Sequence, residues 1–307
     1  MPLDYHLRYA ELTELLEQLV SAYPQLAAMK SIGKTYEGRD IWLIRLTGLN
    51  GPEEDQRAAF VMDGGIHAPE VASTLAVLHC LQQLLEGYAN DPTITALLDA
   101  YTVYAIPRIN CDGAERFLTT PGRVRGSTEP FYPAQCGIVP QDINQDGDIL
   151  QMRIPDPAGA WKIADFDSRV MERRRPDDMT GPFYTVVPEG LVAGEDCIEL
   201  REAPPREGLD PNRQFPFDWS PSVPDELGQN TSGPAPLHDR EVQVLYRFVN
   251  AHPNMVFEMN FHTFGGLHIS PLAFCPAQTP PDEDAQLYAA LGDMLQRQMQ
   301  MFCRDLG

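Results

Sequence analysis

The chain has 307 residues, 43% hydrophobic and 22% charged, an ordinary globular balance and length enough for one large α/β domain or two smaller ones. Asp and Glu outnumber Lys and Arg by 44 to 23, and a formal charge of −21 excludes nucleic acid or an anionic membrane surface as the main partner, since both require a basic face. No apolar run approaches the ~18 residues of a membrane span, the first residues show no secretory pattern, and six scattered cysteines without a CxxC pair predict a reduced, cytoplasmic chain with no disulfide framework.

In chain order, Leu12, Leu15, Leu16, Leu19 and Tyr23 recur at helical spacing, and Pro24 stops the run. The stretches "DIWLIRLTG" (Asp40 to Gly48) and "AAFVMDGG" (Ala58 to Gly65) read as strands. "PEVASTLAVLHCLQQLLEGY" reads as a long helix with Pro69 in its first turn. "YTVYAIPRIN" (Tyr101 to Asn110) is a further buried strand. Later come an amphipathic helix over His238 to His252, the strand "MVFEMNFH" (Met255 to His262), a strand at "LHISPLAF" and a last helix from Asp282. Strands alternating with helices predict an α/β fold with a mixed, mostly parallel central sheet covered by helices on both faces.

The middle of the chain is rich in Pro, Gly, Asp and Arg, and residues 114–207 read as a loop-rich insertion folded over a functional face. Within it "DINQDGDIL" places Asp142, Asn144, Asp146 and Asp148 at the spacing of the first half of a calcium loop. The twelfth position is Arg153 in place of Glu, so a Ca2+ site completed from elsewhere and a plain Asx turn are both open. "ERRRPDD" (Glu172 to Asp178) reads as a short solvated loop. Gly33-Lys34-Thr35 is no nucleotide loop, because it leads into a strand and lacks the earlier Gly.

The chemistry concentrates in "GGIHAPEVAS" (Gly64 to Ser73), which puts His67 and Glu70 where a strand gives way to a helix. Such a pair can face one divalent ion from a tight turn. A Glu at a helix start beside an incidental His explains it as well. His262 ends a predicted strand, where ligand sites of open α/β sheets lie. Asn212 and Arg213 in "GLDPNRQFPFDW" set a carboxamide beside a guanidinium, a combination suited to a carboxylate.

Taken in order, "YEGRDIWLIRLTG", "GGIHAPE", "PRINCDG", "GLDPNRQFPFDW" and "NFHTFGG" resemble the zinc metallocarboxypeptidases of the carboxypeptidase A type, in a bacterial branch with a long central insertion. The resemblance runs from about Tyr5 to Phe274. It implies a mixed eight-stranded sheet and one Zn2+ held by His67, Glu70 and His262, with Asp210 receiving the outer N–H of His67. It also implies that Asn212 and Arg213 grip the free carboxylate of peptide or protein C-termini as substrate. Arg125 has the best spacing for the residue that stabilises the oxyanion, with Arg123 next, and a plain surface Arg is the alternative for either.

Pro69 and Thr263-Phe264 depart from the family pattern. The family's general-base Glu follows the third zinc ligand, whereas the single Glu after His262 is Glu283 at a helix start. The expectation is therefore one zinc carboxypeptidase-like domain over 1–307 that stops before the family's domain does, a hydrolase of C-terminal peptide bonds lacking its base. The rivals are a zinc amidase or deacylase acting on N-acyl amino acids or cell-wall peptides, and a catalytically impaired zinc-holding module that binds peptides.

Overall fold

Alternating apolar residues, most of them in the first third of the chain, build one sheet with two covered faces. The computed structural model describes residues 6–53, 56–120, 125–131, 136–193, 197, 200–203, 207–222, 231–263, 265–270 and 281–299. The sheet comprises β1 (Ala27–Lys34), β2 (Asp40–Leu46), β3 (Ala59–Gly64), β4 (Thr102–Ile106) and β11 (Met255–Phe261), in the order β1-β2-β4-β3-β11. β3 lies parallel to both β4 and β11, while β1/β2 and β2/β4 are antiparallel. The sheet is thus mixed, with its parallel part where the chemistry-bearing loops emerge.

Period-two alternation divides the core. Ile44, Leu46, Val103 and Ala105 face helix α1 (Tyr9–Ala22) and helix α2 (Val71–Gly87), which contribute Leu12, Leu16, Leu78, Leu81 and Leu85. On the opposite face Ile41, Leu43, Val61 and Ile106 meet Val244, Leu245 and Phe248 of α5 (Arg240–Ala251). Each fully buried aliphatic side chain of this kind contributes ~1.5–3 kcal/mol.

Two short helices were not expected. α3 (Pro92–Ala100) starts at Asp91, whose carboxylate accepts from the N–H groups of Thr93 and Ile94, with Pro92 at its first position. α4 (Cys111–Thr119) is capped by Asn110, which accepts from Gly113 N–H.

The insertion is more structured than its composition predicts. It carries β5 (Gly137–Pro140), β6 (Gln151–Pro155), β7 (Trp161–Ala164), β8 (Asp167–Arg173), β9 (Tyr184–Pro188) and β10 (Gly190–Ala193). β5 and β10 form an antiparallel ribbon, and the others a four-stranded sheet in the order β6-β9-β7-β8. These strands are short, and β6 and β8 are largely solvent-facing, so they are held by main-chain pairing and lack the apolar periodicity that betrays a strand in a sequence.

A second departure is covalent. Cys136 and Cys197 form a disulfide, against the expectation of a chain without such bonds. Scattered spacing hid it, because the partners are 61 residues apart and meet only through the insertion's own folding.

Residues 1–262 and 263–307 form two compact units. The described part of the second contains helix α6 (Asp282–Met299), whose first turn carries Asp282, Glu283 and Asp284 in keeping with the helix dipole. Residues 267–270, the first half of the strand expected at "LHISPLAF", are irregular, and the second half lies outside the described residues. No helix among the described residues is long and apolar enough to cross a membrane.

Candidate metal centre

The turn from β3 into α2 is built to hold His67 and Glu70 in one orientation. Gly65 adopts φ +64°, a left-handed conformation that favours glycine. Its N–H donates to Ser73 Oγ at 2.8 Å, and that hydroxyl donates onward to the Glu70 carbonyl at 2.5 Å. The carbonyls of Gly64 and Gly65 accept from the N–H groups of Ile109 and Asn110, tying this turn to the loop after β4. Ser73 therefore organises the turn, a role that nothing in its sequence position announces.

His67 is 3% exposed and Glu70 6% exposed. His67 Nδ1 lies 2.8 Å from Glu70 Oε1, and His262 Nδ1 lies 2.8 Å from Glu70 Oε2. The ligand atoms of His67, Glu70 and His262 all fall within 4.8 Å of one another. An ion with ~2.1 Å bonds in tetrahedral geometry separates its ligands by ~3.4 Å, a value inside this range, and two imidazoles with one carboxylate form a zinc-type donor set. The residues present fit the ion that the sequence implies.

Asp210 completes the support. Its Oδ1 sits 2.9 Å from His67 Nε2, and Asp210 itself is 0% exposed. A carboxylate there holds the proton on Nε2, so that Nδ1 would be free to offer its lone pair to a bound metal. Asp210 Oδ1 also accepts from Asn212 N–H at 2.8 Å, capping the single 3-10 turn Pro211–Arg213. That turn sets Asn212 and Arg213 directly beyond Asp210, and Arg213 donates to the Asn212 carbonyl at 3.0 Å.

Arg125 reaches the same place. Its Nη1 is 3.6 Å from Glu70 Oε1, its Nε is 3.4 Å from Asp210 Oδ2, and Nη2 is 3.2 Å from His67 Nε2. The side chain remains 29% exposed, so it faces both the cluster and solvent. The surface-loop alternative for Arg125 does not hold, while Arg123 lies outside the described residues.

What brings Arg125 to Asp210 is a pairing of the chain entering the insertion with the chain leaving it. Ser127 N–H donates to the Leu209 carbonyl at 3.2 Å, and Gly208 N–H to the Ser127 carbonyl at 2.9 Å. Gly126 sits so close that a Cβ there would come within 1.8 Å of the Leu209 oxygen, so no larger residue fits without movement. Ala68 N–H also donates to the Arg125 carbonyl at 2.8 Å, joining this pair of segments to the His67 turn.

The charges are mutually tuned. Burial works against protonation of His67, but hydrogen bonds to Asp210 and then Glu70 outweigh it and raise its pKa. Burial pushes the Glu70 carboxyl up, and contacts with His262 and His67 more than offset this, bringing it down to about 2. Asp210 is likewise held below its usual value, with burial opposed by His67, Arg125 and Arg213. Glu70 and Asp210 are thus anions, as a cation site needs.

The candidate calcium loop has a different use for its acids. Asp142 accepts from the N–H groups of Gln145 and Gly147, Asp146 accepts from Asp148 N–H and the Asn144 amide, and Asn144 accepts from Asp146 N–H. These are the bonds of Asx turns, and among the described residues Asp148 belongs to no convergent set. Among the described residues the one group of three or more His, Cys, Asp or Glu with converging ligand atoms is His67, Glu70 and His262.

Comparisons with known proteins agree with this geometry. A zinc carboxypeptidase of Saccharothrix mutabilis subsp. capreolus is 34% identical over 116 residues, covering 38% of this chain and 26% of that protein. A Saccharomyces cerevisiae protein described as the inactive metallocarboxypeptidase ECM14 is 34% identical over 117 residues, covering 36% of this chain and 27% of its own length. The fold is similar to carboxypeptidase A from Helicoverpa armigera, with TM-score 0.61 at 18% identity over 98% of this chain and 55% of that one. It is similar also to thrombin-activatable fibrinolysis inhibitor, with TM-score 0.60 at 14% identity over 96% of this chain and 56% of the other. The matched chain thus spans about a quarter of the two curated relatives and just over half of the two solved structures. The sequence pattern of the zinc carboxypeptidases, a family of metalloprotease hydrolases, matches residues 12–301, and this chain belongs to that family.

Proposed function

We propose that this chain holds one Zn2+ at His67, Glu70 and His262 and acts on peptide C-termini as a metallocarboxypeptidase. The observation that carries the reading is the convergence of these three ligands, with Asp210 behind His67 and Arg125 beside Glu70. When bound, zinc supplies Lewis acidity that polarises a scissile carbonyl and acidifies water. Asp210 fixes the His67 tautomer and keeps its Nδ1 unprotonated toward the ion. Arg125, cationic and partly exposed, is placed to stabilise negative charge that develops on the carbonyl oxygen. Asn212 and Arg213 grip the substrate's terminal carboxylate, the feature that favours a carboxypeptidase over an amidase or deacylase.

A second reading is a zinc-holding module that binds C-terminal peptides with weak turnover, since a yeast relative described as inactive shares part of this sequence.

Metal analysis combined with peptide assays on the 307-residue chain tests both. The expected result is one zinc per chain and binding that requires a free C-terminus. Equal processing of peptides with blocked and free C-termini would point instead to an amidase. Absence of stoichiometric zinc would refute both readings.

A further inference from the structure

The place of the Arg125 cation is set by its main chain more than by its ion pairs. The guanidinium meets His67, Asp210 and Glu70 at 3.2, 3.4 and 3.6 Å, longer than the ~2.7–2.9 Å of a tight charge-assisted bond. Two consecutive carbonyls of the same segment are held at shorter range. The Arg125 carbonyl accepts from Ala68 N–H at 2.8 Å, and the Gly126 carbonyl accepts from Asn110 Nδ2 at 2.8 Å.

Asn110 stands between β4 and α4 and is 0% exposed. Its main-chain N–H donates to the Gly65 carbonyl at 2.9 Å, at the head of the His67 turn. Its Oδ1 accepts from Gly113 N–H at 2.8 Å, the bond that caps α4. With the amide oxygen committed to an N–H, the amide nitrogen is the end that faces the Gly126 carbonyl, and the side chain has one orientation. A single residue thus bonds the turn carrying His67 and Glu70, the start of a helix, and the segment carrying Arg125. The fit is close. A Cβ on Gly113 would stand 2.7 Å from Asn110 Oδ1 and 2.8 Å from the Ala68 Cβ, which leaves no room for a side chain between them.

We propose that Asn110 is a positioning residue for Arg125, its side-chain amide setting the distance between that cation and the His67–Glu70 turn. The inference rests on the reading of Arg125 as the group that faces charge developing on the substrate carbonyl. Asn110 acts through the Gly126 carbonyl, next in the chain to Arg125, and through the Gly65 carbonyl, two residues before His67. A buried carbonyl that loses its donor is left unsatisfied, so the segment must shift to find another partner. A displacement of ~1 Å at a reacting centre can cost ~10²-fold.

Asn110→Ser and Asn110→Asp separate this tie from the helix cap, since both keep a capping oxygen for Gly113 N–H and remove the donor to Gly126. Circular dichroism and melting confirm that each variant of the full chain folds. Without metal, hydrogen exchange should rise at least ~10-fold at the amides of Ala68 and Ser127, which donate to the Arg125 and Leu209 carbonyls. The Gly65 N–H, bonded to Ser73 Oγ, should keep its protection. With zinc loaded, a peptide phosphonate with a free C-terminal carboxylate supplies a tetrahedral anion in place of the hydrated carbonyl, and both variants should bind it ~10–100-fold more weakly. In an Arg125→Gln background the same substitutions should cost no further affinity. Asp91→Ala, which removes the cap of α3, should lower the melting temperature and leave phosphonate binding as in the parent. Unchanged exchange at Ala68 and Ser127, undiminished binding in the variants, or a loss that persists without Arg125 would each overturn the proposal. A parent chain that holds zinc but binds no phosphonate would refute the catalytic reading of the site instead, and exchange would still decide whether Asn110 holds the Arg125 segment.

Discussion

Replacing Asp210 by Asn isolates what the buried carboxylate contributes to holding a metal. Asn preserves the size of the side chain and is as good a cap as Asp, so the N–H of Asn212 keeps its acceptor and the turn Pro211–Arg213 should survive. What changes is the charge opposite His67 Nε2, 2.9 Å away, with His67 3% exposed and Asp210 0% exposed. A hydrogen bond to a charged group in such a place contributes ~1.5–3 kcal/mol. At ~1.4 kcal/mol per decade, zinc affinity should fall by ~10–100-fold, the range found when outer-shell partners are lost. Competition against a chromophoric chelator at neutral pH measures this directly. Melting of the metal-free proteins separates it from a change in fold. An unchanged zinc affinity in a folded Asp210→Asn protein would refute the assignment of Asp210 as the orienting partner of His67.

Arg125→Gln should retain zinc, because Arg125 is no ligand, while any measurable peptide turnover falls by ~10²–10³-fold; loss of zinc together with turnover would show that its contacts with Glu70 and Asp210 matter more than its charge toward substrate. Reduction of Cys136–Cys197, or Cys136→Ser, should lower the melting temperature of the transition that unfolds the inserted module, with ~4 kcal/mol as the upper bound for a loop of this length. Glu241, whose carboxyl is raised by burial to about 7 despite backbone N–H contacts, contributes stability that is fully present below its ordinary 4.5 and lost as pH rises through about 7. The difference between Glu241→Gln and the parent should accordingly move in the variant's favour over that window, by on the order of 3 kcal/mol, and pH-independent melting differences would refute it.

The sheet was legible because β2, β3, β4 and β11 each carry apolar residues at strand spacing, and α1, α2 and α5 carry them at helical spacing. The convergence of His67, Glu70 and His262 has another root, since the His67 and Glu70 turn follows β3 and His262 follows β11, which pairs with β3. Hidden were the features made by contacts between distant segments with mixed composition. Cys136 and Cys197 sit 61 residues apart with no local signal, and β6 and β8 expose most of their residues, so their pattern is that of a loop. The Asp142 to Asp148 run left two readings open for the opposite reason. The same short acidic spacing serves a cation or the loop's own N–H groups, and only geometry distinguishes them.

Distance along the chain also governs how the centre assembles. His67 and Glu70 are local to each other, but His67 meets Asp210 across 143 residues and Glu70 meets His262 across 192. Arg125 meets Asp210 across 85 residues, most of them in the inserted module. Closing such loops costs chain entropy before any site contact forms. The pairing of Ser127 with Gly208 and Leu209, the steric fit of Gly126 against Leu209, and the disulfide farther along the same two segments all act on that closure. The inserted module is therefore joined to the metal centre through its two connecting segments, and the same contacts that close the module set the places of Arg125 and Asp210. Weakening the connection at Gly126 should loosen Arg125 and Asp210 together, while the His67 turn keeps its bonds to Ser73, Ile109 and Asn110.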